Sequence, residues 1–311
     1  MPEEIVGKNY GRGEKPIGDG EVRNFSRVVF WTNNAKQSAE WYCYKFGFVP
    51  FKYQGLETGN RTTAHHVIKK NDCYFEFVSA LQPNNKEMGE FLCRHGDAVR
   101  DITFTVKNLD NVIEIAKKRG AKIVSDVSTV SDDQGSVKLA VVRTYGDVVH
   151  TLIENIDYKG PYIPGYAEPR HIPEPLEGDN LVDTGILRVD HCVGNQPETE
   201  METMASWYEK TLQFHRFWSV DETQLHTEYS ALRSVVMANW EESIKMPLNE
   251  PAPGKRKSQI QEYNEFNDGA GIFMILKIFI VLFWKSDSVF NFFASSISLL
   301  LHKILDEPLK I

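Results

Sequence analysis

Histidine, the side chain best suited to proton transfer or metal binding near neutral pH, occurs nine times in the 311-residue chain. His65 and His66 are neighbours in a β-type run, so they point to opposite faces and cannot hold one ion together. His95, His171, His215, His226 and His302 have no ligand-type partner at short spacing and read as structural. His191 differs. It sits inside the apolar run VDHCV and is followed by Gly194, Asn195 and Gln196. An imidazole on an early strand of a curved sheet finds further ligands only on distant strands of that sheet. On its own residues, then, His191 is either a metal ligand completed from afar or a buried structural histidine.

The common local motifs of catalysis are missing. The sequence has no phosphate-binding glycine loop of either nucleotide type, no Gly-x-Ser-x-Gly and no His-Glu-x-x-His. Cys43, Cys73, Cys93 and Cys192 are widely spaced without a Cys-x-x-Cys, which reads as reduced thiols of a cytoplasmic protein. The polar, glycine-rich N-terminus is not a signal peptide.

The elements that must position these residues belong to a globular protein. Hydrophobic residues make up 41% and charged residues 25%, enough for one large core or two medium ones. Lys and Arg number 35 against 43 Asp and Glu, a net charge of -8, which argues against nucleic acid as a partner. The run Lys255, Arg256, Lys257 reads as a solvated turn.

Residues 1–23 are expected to be a flexible arm. FSRVVFW then reads as a strand, and the segment after it as a helix capped by Asn33 or Asn34 and stopped at Gly47. Further strands are expected at 65–68, 74–79, 101–106, 137–143 and 150–155, with helices at 85–95 and 109–119. Five prolines mark 156–185 as a linker or extended connection. The pattern then restarts. SAEWYCYKFGF (38–48) and MASWYEKTLQF (204–214) coincide at Ala, Trp, Tyr and the final Phe with an offset of 166, and GDAVRDITF (96–104) lies over GAGIFMIL (269–276). Two copies of one module follow as the economical reading.

The second copy tracks the first to Gly271, and 272–311 reads as an apolar tail foreign to the module. Its runs 272–284 and 289–301 are thirteen residues each, shorter than the ~18 needed to span a bilayer, so a membrane anchor is not favoured.

VDHCVGNQP, LQFHRFWSVDETQLHTEYSALRS, ESIKMPLNEPAPGKRKSQIQEY and NDGAG resemble the 4-hydroxyphenylpyruvate dioxygenase family, as do GLETGNR, NKEMGEFLCRHGDAVRDITF and TYGDVVHTLIEN in the first half. The resemblance runs from residue 22 to Gly271. It implies an α+β fold of tandem βαβββ vicinal-oxygen-chelate modules, the first non-catalytic (24–155) and the second catalytic but incomplete (186–271). It also implies an Fe(II) site of two His and one carboxylate, 4-hydroxyphenylpyruvate and O2 as substrates, homogentisate and CO2 as products, and a homodimer. The same fold and chemistry serve 4-hydroxymandelate formation.

By that resemblance His191 is the first iron ligand, and Ser234, Asn249 and Gln259 line the substrate pocket; no catalytic side chain is implied beyond the metal site. The family's Gln-His pair falls on Phe273 and Met274, and the third ligand, a late Glu, has no counterpart in the second half. Glu154 holds the repeat-related place in the first half, without a paired His. Iron binding and turnover by this chain are therefore not expected. A catalytically inactive isoform with a binding or regulatory role is the alternative.

Overall fold

The computed structural model describes residues 7–13, 15–169, 184–220 and 231–278. Expected elements on 170–183, 221–230 and 279–311, including His171, His226, His302 and most of the apolar stretch 272–311, lie outside the described residues. In chain order come β1 (Lys8–Asn9), β2 (Glu21–Trp31), α1 (Ala35–Phe46), β3 (Val49–Gln54), β4 (Thr63–Lys70), β5 (Cys73–Ala80), α2 (Lys86–His95), β6 (Ala98–Lys107), α3 (Leu109–Lys118), β7 (Ile123–Asp132), β8 (Gly135–Arg143) and β9 (Val149–Asn155). The second half holds β10 (Ile186–Asn195), α4 (Met201–Leu212), β11 (His215–Val220), β12 (Ala231–Ala238), β13 (Lys245–Ala252), α5 (Gln259–Phe266) and β14 (Gly271–Ile278).

Local chemistry sets the helix ends. Asn34 caps α1 by accepting from the Gln37 amide, and Gly47 closes it in the left-handed conformation at φ 69°. Asn85 and Ser258 cap α2 and α5 in the same way.

The first sheet runs β3-β4-β5-β2-β6-β9-β8-β7. Its two halves mirror each other about the antiparallel β2–β6 pair, so the 24–155 module is itself a pair of βαβββ units sharing one sheet. In the second sheet, β1-β11-β12-β13-β10-β14, strand β10 pairs in parallel with β13 and antiparallel with β14, as β2 does with β5 and β6. The 166-residue offset thus relates one pair of units to the next. Strand β14 extends the second sheet seven residues beyond Gly271, into the stretch that the sequence reading sets apart as tail.

Two expectations change. The N-terminal arm is not loose where it is described: β1 pairs with β11, the Tyr10 and Ser219 hydroxyls are 2.9 Å apart, and Arg12 donates to Glu242 at 2.9 Å. Backbone hydrogen bonding to an edge strand, invisible in a polar sequence, holds it. The linker is likewise docked over its described part. Tyr53 and Ala167 exchange backbone hydrogen bonds at 2.9 Å, and Tyr162 and Tyr166 reach the buried Glu76. One buried apolar cluster runs through both halves, from Phe75, Phe104 and Leu152 to Cys192, Tyr208 and Met246.

Candidate active site

Strand β10 carries the site. A register irregularity between Val189 and His191 lets both Val189 and Cys192 enter the shared core, while His191, next to Cys192, lies on the other face with 5% exposure. His191 Nδ1 is 2.9 Å from an Asp190 carboxylate oxygen. In the tautomer that donates from Nδ1, the ring is oriented and the lone pair resides on Nε2, the arrangement a metal-binding imidazole needs.

Four residues further along β10, on the same face, stands Asn195. It pairs with Asn249 of β13, and Asn249 pairs with Ser234 of β12. Directly opposed residues share a face, so Ser234, Asn249 and Asn195 form one polar row across three adjacent strands. Strands β10 and β13 meet only at Gly194–Leu248 and Asn195–Asn249, where the Gln196 amide donates to the Asn249 carbonyl at 2.7 Å. Pro247 and Pro251, which lack N–H donors, flank this short ladder. The run PLNEPA is a strand, paired along its length with β12 and over this short ladder with β10.

The row ends in unmet hydrogen-bonding capacity. Asn195 Oδ1, both polar atoms of the Gln196 side chain and Asn264 Oδ1 are buried without a partner among the described residues, while Asn264 Nδ2 donates to the Gln196 carbonyl at 2.8 Å. Buried amides are seldom left this way, and these can receive a polar ligand. Asn195, Gln196 and Asn264 have no sequence signature beyond being amides beside His191 and on a short helix. Gln259 stands apart, exposed at the start of α5. Ser234, Asn249 and His191 are brought to one face; Gln259 is not buried with them.

The iron implied by the resemblance meets a poor donor set. Strand β14, the antiparallel neighbour of β10, reads GIFMILKI and holds neither imidazole nor carboxylate. The Cα partner of His191 is Ile275, and Met274 pairs with Cys192. Among the described residues no three His, Cys, Asp or Glu side chains converge in metal-binding geometry. One imidazole alone does not fit the three-ligand site that holds Fe(II). Glu154, the repeat-related carboxylate, is engaged elsewhere: it accepts from the Asn108 and Leu109 amides at 2.7 and 2.9 Å, at the start of α3.

Relatives define the family. A family model described as the glyoxalase/bleomycin resistance protein/dioxygenase superfamily matches residues 24–140 and 188–293. The chain is 51% identical over 265 residues to 4-hydroxyphenylpyruvate dioxygenase of Caenorhabditis briggsae, covering 85% of this chain and 67% of that protein. It is 50% identical over 262 residues to the same enzyme of Danio rerio, covering 84% and 65%. The chain belongs to the 4-hydroxyphenylpyruvate dioxygenase family. It spans about two thirds of the length of these relatives. A solved variant of 4-hydroxymandelate synthase from Streptomyces coelicolor shares the fold, with TM-score 0.67 and 20% identity over 81% of this chain and 69% of that one. The dioxygenase family thus accounts for the tandem units and the 166-residue repeat. No helix of the described residues is long and apolar enough to cross a membrane.

Proposed function

We propose that the activity this fold was built for is the conversion of 4-hydroxyphenylpyruvate and O2 to homogentisate and CO2, and that the 311-residue chain keeps the substrate-orienting part of the site without iron-dependent turnover. The family relationship supports the first part. The polar row Ser234–Asn249–Asn195 beside His191 carries the second, set against a β14 that offers no ligand.

An aromatic α-keto acid has a phenol at one end and two chelating oxygens at the other. The Ser234 hydroxyl and the Asn249 and Asn195 amides are suited to hydrogen-bond the polar ends, with Gln259 joining if the start of α5 closes onto the sheet. Bound Fe(II) would supply Lewis acidity and oxygen activation, and one imidazole does not hold it. A binding or regulatory role beside a complete relative, in a homodimer-like contact, is the second reading, favoured by the same missing donors. Four free thiols, three of them buried, support a reducing, cytoplasmic setting.

The test combines iron content by mass spectrometry, calorimetric titration with 4-hydroxyphenylpyruvate, and oxygen uptake with homogentisate detection. Substrate binding with negligible iron and no oxygen uptake is expected. Iron near one per chain with turnover would overturn the inactive reading while upholding the activity. Absence of both binding and turnover would remove the substrate-orienting role.

A further inference from the structure

The first module has a counterpart of His191, found by register alone. Trp31 of β2 pairs with Ala98 at the start of β6, and Asn195 of β10 pairs with Gly271 at the start of β14. Counting back four residues on each strand gives Arg27 and His191. Both lie on the sheet face opposite the shared core, because the next residue of each strand, Val28 or Cys192, enters that core.

Arg27 is 7% exposed and sits against Glu76 of β5, itself 2% exposed, with Nε 2.6 Å from the carboxylate. Glu76 also accepts from the Tyr162 hydroxyl at 2.9 Å and from the Tyr166 hydroxyl, and His65 Nδ1 is 2.6 Å away. The Arg27 guanidinium packs on the Tyr162 ring at 5.4 Å from its centre. Tyr162 and Tyr166 belong to the stretch after β9, and that stretch is further tied down by Lys52 to Glu168 and by the Tyr53–Ala167 backbone pair. Across β6 and β9, Asp101 accepts from the Thr151 amide at 2.9 Å and from its hydroxyl. A cation therefore stands in the first module at the position equivalent to His191, ringed by an acid and two phenols.

We infer that Arg27 is the first module's built-in cation: with Glu76 it latches the 158–169 segment over the sheet face, so that this module is closed to outside ligands by its own chain. A guanidinium suits the task because it presents donors in a fixed plane and stays charged when buried. It also explains the order of the segment, since the tyrosine hydroxyls converge on a carboxylate that Arg27 keeps ionised. Among the described residues Arg27 Nη1 has no hydrogen-bond partner, and charge and stacking rather than a full set of hydrogen bonds hold the guanidinium.

The test uses the full chain and limited chymotrypsin cleavage after Tyr162 and Tyr166. Arg27→Ala leaves Glu76 buried without its cation, and cleavage there should rise by about tenfold or more. Low-millimolar guanidinium should restore much of the protection, and tetramethylammonium at equal concentration should not. Should Arg27→Ala fail to fold, the double variant Arg27→Met/Glu76→Leu removes both buried charges and should fold with the segment still rapidly cut. Cleavage within about twofold of the parent in whichever variant folds, or equal protection by both cations, would overturn the latch.

Discussion

The Tyr208 hydroxyl of α4 donates to His150 Nε2 of β9 at 2.8 Å, while His150 Nδ1 donates to the Ile102 carbonyl at 3.0 Å. This fully buried pair joins the two halves of the chain and uses both ring nitrogens, and burial favours the neutral imidazole. Burial lowers its pKa from 6.5 to about 4, only partly opposed by the Ile102 carbonyl.

The sign of the resulting pH dependence follows from proton counts. Between pH 6.5 and 4 the unfolded chain protonates His150 and the folded chain does not. Stability from this group is full above the unfolded value and falls as pH drops, by roughly 3 kcal/mol at most. Urea unfolding from pH 7.5 to 5 should show this loss, and His150→Gln should flatten that part of the slope.

Gly194 lies where the modules touch. A Cβ there would stand 2.3 Å from the Tyr145 hydroxyl oxygen and 2.7 Å from its ring carbon, and Tyr145 is buried. Gly194→Ala should cost about 1–3 kcal/mol through overpacking. Denaturant midpoints would measure it, and Tyr145→Leu in the same chain should recover part of the loss.

The polar row makes a graded prediction. Ser234→Ala and Asn249→Leu should each weaken 4-hydroxyphenylpyruvate binding by about tenfold, the value of one lost hydrogen bond to a buried group. Gln259→Ala should change it less, because Gln259 is exposed. Calorimetry of the three variants tests the order, and an effect of Gln259→Ala equal to the others would mean that α5 closes on the ligand.

Removing residues 2–13 should expose the outer edge of β11, which β1 now covers. Unpaired strand edges recruit other strands. Size-exclusion chromatography should show larger species at concentrations where the whole chain does not form them.

Much of this architecture is legible in the sequence because periodicity and capping agree locally. Asn34 and Gly47 bound α1 where side-chain chemistry places them, and the Trp-Tyr pairs at 41–42 and 207–208 mark equivalent helices. Strand β7 is hard to see because IVSDVSTVSD is mostly exposed, and β13 because its prolines imitate a turn. His191 is recognisable by its apolar strand and by resemblance. Asn195 and Asn264 are not, since their significance lies in hydrogen bonds they do not make. His150 gives no local signal either: its partner Tyr208 is fifty-eight residues away.

The continuous apolar cluster has a consequence for how the chain melts and evolves. With Phe104 and Leu152 of one half packed in the same core as Tyr208 and Met246 of the other, the main interior belongs to neither half alone. Heat or denaturant should then take the described chain apart in a single cooperative step, because opening one half strips apolar cover from its neighbour. Excising either half would therefore unfold the other, so neither can be lost without the fold.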